Sequence, residues 1–329
     1  MWKRLLALAV VLVLACAGGA YVWWQNAIEK PGPSTQPTRV IVERGSGVLQ
    51  IAWQLKREGV IEHPRLFQLL AEWRDHTKSL KAGEYLFPSG VSLEAALNRI
   101  VQGDTEVHFV TFAEGLTTHA MLQLLASEDG LVGDVPANIA EGSLLPSTYD
   151  YQFGTKRGDI VERMQQAMQS AVARAWAARK PDLPLKNEHE LVTLASIVEK
   201  ETGLSGERAE VAGVFINRLR RGMKLQSDPT TIYAVTSGEA PLGRGLRRSE
   251  LANPHPYNTY HITGLPPGPI ANPGEAALMA TAQPAETDAL YFVADGSGGH
   301  AFSRTLAEHN RNVARWRAIE RDRRNAQKE

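Results

Sequence analysis

The chain has 329 residues and carries 36 basic and 36 acidic side chains, so its formal charge at pH 7 is zero. This balance gives no electrostatic reason to expect nucleic-acid binding, because proteins that bind nucleic acid usually carry a basic surplus. The only cysteine is Cys16, which excludes an intramolecular disulfide. The length is sufficient for two modest domains.

The N-terminal residues have the pattern of a membrane anchor. Residues 1–4 include Lys3 and Arg4, and the uncharged run over 5–24 is as long as a helix that crosses a hydrocarbon core of about 30 Å. The basic pair predicts that residues 1–4 stay in the cytoplasm, and Trp23 and Trp24 are typical of the opposite interface. A cleaved signal peptide would have a shorter apolar core. A lipoprotein signal around Cys16 fits poorly, because the chain stays apolar beyond it. We therefore expect a retained, single-pass transmembrane helix over residues 5–24.

Residues 25–38 contain three prolines in a short stretch and predict an extended, Pro-rich tether. Folded sequence is expected from residue 39. A β-branched run at 40–42, a helix ending near Gly59, a helix opening at Pro64, a strand at 83–87 and a helix capped by Ser92 follow in that order. The pattern predicts a small α+β domain over residues 39–105.

The remaining residues, 106–329, predict a larger mixed α/β domain, so the fold class of the whole chain is α+β. A strand at 107–112 leads into an amphipathic helix that ends near Leu125. An irregular stretch at 141–149 and a long helix at 160–178 come next. The segments with the residue types needed for catalysis lie after residue 187.

One helical segment, residues 191–203, contains two candidate catalytic carboxylates. Leu191, Leu194 and Val198 recur at helical spacing, so one face is expected to pack into the core. Glu199 and Glu201 flank that face on opposite sides, where partial burial would raise the pKa of a carboxyl and keep it protonated as a general acid. Geometry alone does not choose between the two glutamates, and a pair of ordinary surface glutamates fits the same pattern.

Two further segments have side chains suited to sugar binding. Residues 226–233 combine an amide, a carboxylate and hydroxyls around an Asp-Pro pair, although a capped helix start explains them equally well. Residues 257–260 are aromatic and polar, and a proline-stiffened loop at 264–274 follows; ring packing in a structural loop is the alternative. The candidate substrate-binding residues are Gln226, Asp228, Tyr257, Asn258, Thr259 and Tyr260.

Metal and nucleophile chemistry are disfavoured by the sequence. The histidines lack close ligand spacing, no phosphate-binding glycine loop is present, and Cys16 lies in the predicted anchor. A carboxylate that works without a metal or cofactor is the remaining enzymatic option.

Several segments in this order resemble the YceG-like family of endolytic murein transglycosylases. The quoted segments are 195–202 (ASIVEKET), 214–219 (VFINRL), 225–230 (LQSDPT), the loop at 264–274, 291–294 (YFVA) and 299–302 (GHAF). The resemblance implies that Glu201 is the catalytic residue, with Glu199 as a neighbour that tunes the site or faces solvent. It also implies a LysM-like domain at 39–105 and a YceG-like catalytic domain at 106–329.

The same resemblance implies a function. The chain is expected to be a lyase of the bacterial inner membrane whose periplasmic domain cleaves the MurNAc–GlcNAc β-1,4 bond within nascent peptidoglycan strands. The product ends would be 1,6-anhydro-MurNAc, and strand elongation would stop. Glycan-polymerising synthases are the expected protein partners. A muramidase-type hydrolase of the same bond and a non-catalytic glycan-binding scaffold are the alternatives.

Overall fold

The computed structural model describes residues 2–326. Met1 of the predicted cytoplasmic segment and residues 327–329 of the predicted catalytic domain lie outside the described residues. The chain divides into two compact units. Unit 1 comprises residues 1–108 and 150–155, and unit 2 comprises residues 109–149 and 156–329. The first boundary between the two units follows residue 108, whereas the sequence predicted a domain boundary after residue 105. The return of residues 150–155 to unit 1 has no counterpart in the sequence pattern, because it depends on strand pairing between distant segments.

The N-terminal helix α1 (Trp2–Glu29) is long and apolar enough to cross a membrane, with a mean hydropathy of 2.5 over its most apolar window. Its last turn differs from the predicted tether, because it remains helical and Ile28 is fully buried in the core of unit 1. The proline-rich residues that follow are also held. The Gly32 N–H donates to the carbonyl of Val91 at 3.1 Å, and the Gly90 N–H donates to the carbonyl of Ser34 at 2.8 Å. Residues 25–34 are therefore held against the rest of unit 1, whereas residues 35–37 are exposed.

Beyond α1, unit 1 has a β–α–α–β–α order that matches the predicted elements. Strands β1 and β2 pair antiparallel, from Thr38 opposite Phe87 to Val42 opposite Gly83. Ser92 caps the last helix by accepting from the Ala95 N–H at 3.2 Å. The elements are β1 (Thr38–Val42), α2 (Val48–Arg57), α3 (Pro64–Trp73), β2 (Gly83–Phe87) and α4 (Leu93–Gln102).

Unit 2 is mostly helical, and its short strands form two-stranded sheets. Strand β3 pairs with β5, β4 with β6, and β7 with β8; the division between the units falls inside β3, β5 and β6. The elements are β3 (Val107–Thr111), α5 (Thr118–Ser127), β4 (Leu131–Val132), β5 (Thr148–Gln152), β6 (Thr155–Lys156), α6 (Arg157–Ala177), α7 (Glu188–Glu201), α8 (Arg208–Arg220), α9 (Asp228–Thr236), α10 (Arg248–Ala252), α11 (Glu275–Ala282), β7 (Tyr291–Ala294), β8 (His300–Ser303) and α12 (Leu306–Ala326).

Helix α7 is the centre of unit 2. The sequence predicted one buried face, but every residue from Leu191 to Val198 is buried, because α6, α8, α9 and α11 pack around the helix. The small side chains of Thr193 and Ser196 allow this close packing on the sides that the apolar stripe does not cover. The helix ends at Glu201, and Thr202 is already extended. Its last turn therefore carries Glu199 and Glu201 at the edge of the core, where other elements cover their carboxyl groups.

Candidate active site

Glu201 is the last residue of α7, and its carboxyl lies in a densely packed environment although the residue keeps some solvent exposure. Burial is the largest cause that raises the pKa of Glu201 from 4.5 to about 7. The nearby Asp228 carboxylate raises this pKa further, whereas a hydrogen bond from Ser227 and the positive charges of His300 and Arg218 lower it. A carboxyl with a pKa of about 7 is populated in both protonation states at neutral pH, as acid–base catalysis requires.

Ser227 holds one oxygen of that carboxyl. Its hydroxyl donates to Glu201 Oε1 at 2.5 Å, and the residue is 1% exposed. Ser227 is also the N-cap residue of α9, where a serine side chain ordinarily accepts a backbone N–H; here its hydroxyl makes no such bond. The Ser227 N–H donates to Thr259 Oγ1 at 2.9 Å, and Gln226 before it has a φ of +51°. The turn into α9 thus directs this hydroxyl at Glu201.

A second carboxylate lies close to Glu201. Asp228 is exposed, and its Oδ1 accepts a hydrogen bond from the Tyr260 hydroxyl at 2.6 Å. Burial is the largest cause of the raised pKa of Tyr260, and its bond to Asp228 raises that pKa further. The structure therefore brings two of the predicted substrate-binding residues together beside the predicted catalytic carboxyl.

Arg218 and His300 lie on other elements near Glu201. Arg218 on α8 is 7% exposed, and its guanidinium donates to the carbonyls of Leu290 and Leu225, each at 2.6 Å. Burial lowers the pKa of Arg218. His300 on β8 contacts Glu207 through its Nδ1, at 2.7 Å from the carboxylate Oε2. Both side chains are anchored by contacts that do not involve Glu201, so their positions do not depend on it.

Ser227, Arg218 and His300 were not among the predicted site residues. The signal was present for Ser227, because the QSDP stretch placed a hydroxyl beside Asp228, but a serine before a helix is first interpreted as a cap. Arg218 and His300 lie in segments whose roles depend on long-range packing. No local spacing indicated that these two side chains approach Glu201.

Glu199 is enclosed by contacts with other protein groups, which corrects the alternative that it faces solvent. Its side chain is 5% exposed and contacts Arg208 at 3.3 Å, and Arg208 also contacts Glu114 at 3.1 Å. The Gly274 N–H donates to Glu199 Oε2 at 3.0 Å. Burial is the largest cause of the raised pKa of Glu199. We refer to Glu114, Arg208 and Glu199 as the acidic clamp, because the two carboxylates hold Arg208 of α8 between them. The bond from Gly274 joins Glu199 of α7 to the start of α11.

Asn258 and Thr259 differ from the expectation that they line a sugar-binding groove. Both are fully buried. The Asn258 amide nitrogen donates to three backbone carbonyls, at 2.8 to 3.3 Å, and its oxygen accepts from the Thr231 hydroxyl at 3.0 Å. Thr259 Oγ1 is bonded to Ser227 and Thr230. These contacts favour a positioning role for the two side chains, because their hydrogen-bonding groups already have protein partners.

The other predicted groove residues remain accessible in part. Gln226 is exposed, and its backbone N–H donates to the Thr259 carbonyl at 3.2 Å. Tyr257 is partly buried and packs against Tyr233 with 4.9 Å between the ring centroids. Most of the loop at 264–274 is buried: the Ile270 N–H donates to the buried hydroxyl of Ser196 at 3.0 Å. The loop is thus a support for α7 more than a sugar-binding surface.

Across residues 2–326 there is no group of three or more potential ligand side chains that could hold a metal ion. The arrangement is a carboxyl whose pKa is raised to about 7, with a serine on one oxygen, a second carboxylate nearby and the Arg218 guanidinium held by other contacts. This geometry suits acid–base chemistry centred on Glu201.

Comparison with known proteins identifies the family. The YceG-like family matches residues 40–315, and the chain belongs to this family. An endolytic murein transglycosylase from Bacillus subtilis is 32% identical over 330 aligned positions, which cover 89% of each chain. A protein of the same name from Streptococcus pneumoniae is 29% identical; the alignment covers 93% of this chain and 63% of that protein. A crystal structure of a putative YceG-like protein from Listeria monocytogenes has a TM-score of 0.52 and 27% identity, covering 84% of this chain and 99% of that one.

Proposed function

We propose that this protein is a membrane-anchored endolytic transglycosylase that cleaves the MurNAc–GlcNAc β-1,4 bond within peptidoglycan strands. The observation that carries the proposal is the Glu201 carboxyl, with its pKa raised to about 7 and Ser227 on one oxygen. The relatives from Bacillus subtilis and Streptococcus pneumoniae are both named endolytic murein transglycosylases, which supports the same substrate class here.

The chemistry follows from having one carboxyl of neutral pKa. Protonated Glu201 donates its proton to the glycosidic oxygen, and the bond to the anomeric carbon breaks as positive charge develops there. The Glu201 carboxylate then takes a proton from the C6 hydroxyl of the same muramic acid residue as this hydroxyl attacks the anomeric carbon. The product carries a 1,6-anhydro ring, and the carboxyl is again protonated. No water is consumed, so the reaction is a lyase step.

An intramolecular nucleophile explains why one carboxyl is enough. Hydrolytic glycosidases use two carboxyl groups, roughly 5–5.5 Å or 6.5–9.5 Å apart, to supply a nucleophile or to activate water. The C6 hydroxyl is already part of the substrate. Asp228, bonded to Tyr260, is then free to favour the positive charge that develops on the sugar. Ser227 fixes Oε1, which leaves Oε2 of Glu201 to carry the transferred proton.

The remaining parts of the chain support a periplasmic location. Helix α1 would cross the inner membrane with residues 1–4 in the cytoplasm, because the basic side chains Lys3 and Arg4 lie on the short side. The β–α–α–β order of residues 38–87 supports a LysM-like assignment for unit 1. Placement beside the membrane favours action on nascent strands and functional association with the synthases that polymerise them.

The test is mass spectrometry of the fragments formed when the full-length protein, in detergent, digests uncrosslinked peptidoglycan. Internal fragments with 1,6-anhydro ends, lighter by one water than hydrolytic products, are expected from the wild type and absent with Glu201→Gln. Reducing ends in place of anhydro ends would show a hydrolase and direct attention to Asp228. Complete absence of cleavage by the wild type would favour a glycan-binding scaffold.

A further inference from the structure

Unit 1 contains a groove where the C-terminal end of α1 meets the other elements of this unit. The groove has a volume of about 670 Å³. The groove is lined by Trp23 and Ala27 of α1, by Lys30 immediately after that helix, and by Trp53 and Lys56 of α2. All of these side chains belong to unit 1.

The α1 wall is fixed to the rest of unit 1. Ile28 is buried in the core, and the ring of Trp24 meets the ring of Trp73 edge to face with 6.2 Å between centroids. The Gly32 N–H is bonded to the carbonyl of Val91, and a Cβ on Gly32 would lie 2.5 Å from that carbonyl oxygen. The groove is therefore a preformed feature whose walls do not depend on a flexible linker.

The position of the groove along α1 corresponds to the headgroup layer of a membrane. The uncharged run over residues 5–24 is about 30 Å long as a helix, which equals the thickness of the hydrocarbon core. Trp23 lies at the end of this run, and the six residues from Gln25 to Lys30 extend about 9 Å further, a depth similar to that of one headgroup layer. If α1 spans the membrane, as the proposed function requires, the groove opens among lipid headgroups.

The charges in the groove favour an anion. Lys30, Lys56 and Arg65 line it together with one acidic side chain, Glu62, which contacts His63 at 3.7 Å. The Lys56 ammonium lies 5.4 Å from the centroid of the Trp53 ring, so this cation is held at the aromatic wall. Lysine and arginine bind phosphate groups through charge-assisted hydrogen bonds.

An apolar surface lies next to this cationic groove. A smaller depression of about 370 Å³ is lined by Tyr21, Trp24, Leu69 and Trp73. Leu69 and Trp73 of α3 are 50% and 61% exposed. Exposed tryptophans beside the end of an apolar helix are typical of a membrane interface. The neighbouring surface therefore suits acyl chains, which distinguishes a lipid from a soluble phosphate compound or a glycan.

We propose that this groove binds the phosphate headgroup of an anionic phospholipid from the outer leaflet of the membrane that α1 crosses. The lipid phosphate contacts Lys30, Lys56 and Arg65, and its acyl chains lie along Trp73 and Leu69. Such a lipid holds α2 and α3 against the bilayer surface. The proposal rests on the membrane anchoring in the proposed function, but it does not depend on the chemistry at Glu201.

The test compares two lipids with identical acyl chains on the full-length protein in detergent. Native mass spectrometry measures retention of dioleoylphosphatidylglycerol and of dioleoylphosphatidylcholine. We expect half-saturation by phosphatidylglycerol at about one tenth of the phosphatidylcholine concentration, a difference of about 1.4 kcal/mol. Both lipids carry the phosphate, but the choline ammonium of phosphatidylcholine adds a positive charge that the cations of the groove repel. The variant Lys30→Gln/Lys56→Gln/Arg65→Gln should lose this preference.

A matched variant, Arg44→Gln/Arg57→Gln/Lys78→Gln, removes three exposed cations of unit 1 that do not line the groove, and it should keep the preference. Equal retention of the two lipids by the wild type, or an unchanged preference in the groove variant, would overturn the proposal. Displacement of phosphatidylglycerol by an equal concentration of glycerol 3-phosphate would instead identify a site for soluble phosphate compounds. Both variants should still cleave glycan in detergent, which separates this test from that of the proposed function.

Discussion

The Ser227 hydroxyl donates to Glu201 Oε1 at 2.5 Å, and this bond joins the start of α9 to the end of α7. Neither residue makes the contact that its place in the sequence suggests. Ser227 does not cap its own helix, and Glu201 does not extend into solvent from the end of α7. The bond fixes the orientation of a carboxyl whose pKa is raised to about 7.

The first prediction concerns the pH dependence of cleavage. Glu201 must be protonated to donate to the glycosidic oxygen, and its pKa is raised to about 7. We therefore expect kcat/KM for glycan cleavage to fall about tenfold per pH unit above an apparent pKa near 7. Initial rates measured between pH 5 and 9 on uncrosslinked glycan test this. A rate that stays flat up to pH 9 would contradict Glu201 as the acid.

The second prediction concerns Ser227→Ala. The serine hydrogen bond lowers the pKa of Glu201, so its removal should move the alkaline limb of the pH profile to higher pH. Loss of a hydrogen bond to a charged group costs roughly 1.5–3 kcal/mol, which predicts a fall in kcat of about tenfold or more. Ser237→Ala, at the exposed far end of α9, is the matched control. An unchanged pH profile in Ser227→Ala would show that the bond does not act on Glu201.

The third prediction uses the stability of the folded protein. The pKa of Glu201 is about 7 in the folded state and about 4.5 when unfolded, so the folded state binds more protons between these values. Its contribution to the free energy of unfolding therefore decreases as pH rises from 4.5 to 7 and stays low above 7. We expect Glu201→Gln to raise the Tm at pH 8 and to change it little at pH 4.5. Thermal unfolding at both pH values measures this, and an equal shift at each pH would contradict it.

The fourth prediction separates the two glutamates of α7. Glu199→Gln breaks the ion pair with Arg208 but keeps an oxygen that accepts from Gly274, so it should reduce stability by about 1–3 kcal/mol. It should also retain endolytic cleavage, since Glu199 belongs to the acidic clamp. Glu201→Gln should have the opposite effects, with cleavage lost and the fold intact. Fragment analysis and chemical denaturation of the two variants side by side test the assignment. Loss of cleavage in a folded Glu199→Gln protein would overturn it.

The fifth prediction separates positioning from contact among the groove residues. Asn258→Ala removes a fully buried amide with at least four hydrogen bonds and should destabilise unit 2 by about 2–4 kcal/mol. Tyr260→Phe removes only the bond to Asp228, so it should leave the Tm nearly unchanged and alter the kinetics of cleavage. Thermal unfolding and steady-state kinetics of both variants provide the comparison. Wild-type stability of Asn258→Ala would contradict a positioning role.

The sequence predicts the local elements of this fold well, because their signals are local. Ser92 caps a helix, Pro64 opens one and residues 83–87 form a strand, as predicted. Burial is predicted less well. Asn258 and Thr259 have the composition of a sugar-binding surface, but packing from distant segments encloses them. A short polar sequence does not reveal whether its hydrogen bonds go to ligand or to backbone.

The same limit applies to the candidate site. The choice of Glu201 over Glu199 came from family resemblance, since the two residues have equivalent places beside the apolar stripe of α7. The structure distinguishes them by partners that are far apart in sequence: Ser227 for one, and Gly274 with Arg208 for the other. Helical periodicity carries no information about such partners.

The burial of Ile28 has a geometric consequence for α1. Because the last turn of this helix is part of the core of unit 1, α1 is joined directly to the rest of that unit. An α-helix advances 1.5 Å and turns 100° with each residue. If α1 spans the membrane as proposed, one residue added to its apolar run would turn the rest of unit 1 by about 100° around the helix axis while moving it by only about 1.5 Å. The length of the apolar run would therefore change the rotation of unit 1 about the axis of α1 far more than its distance from the membrane.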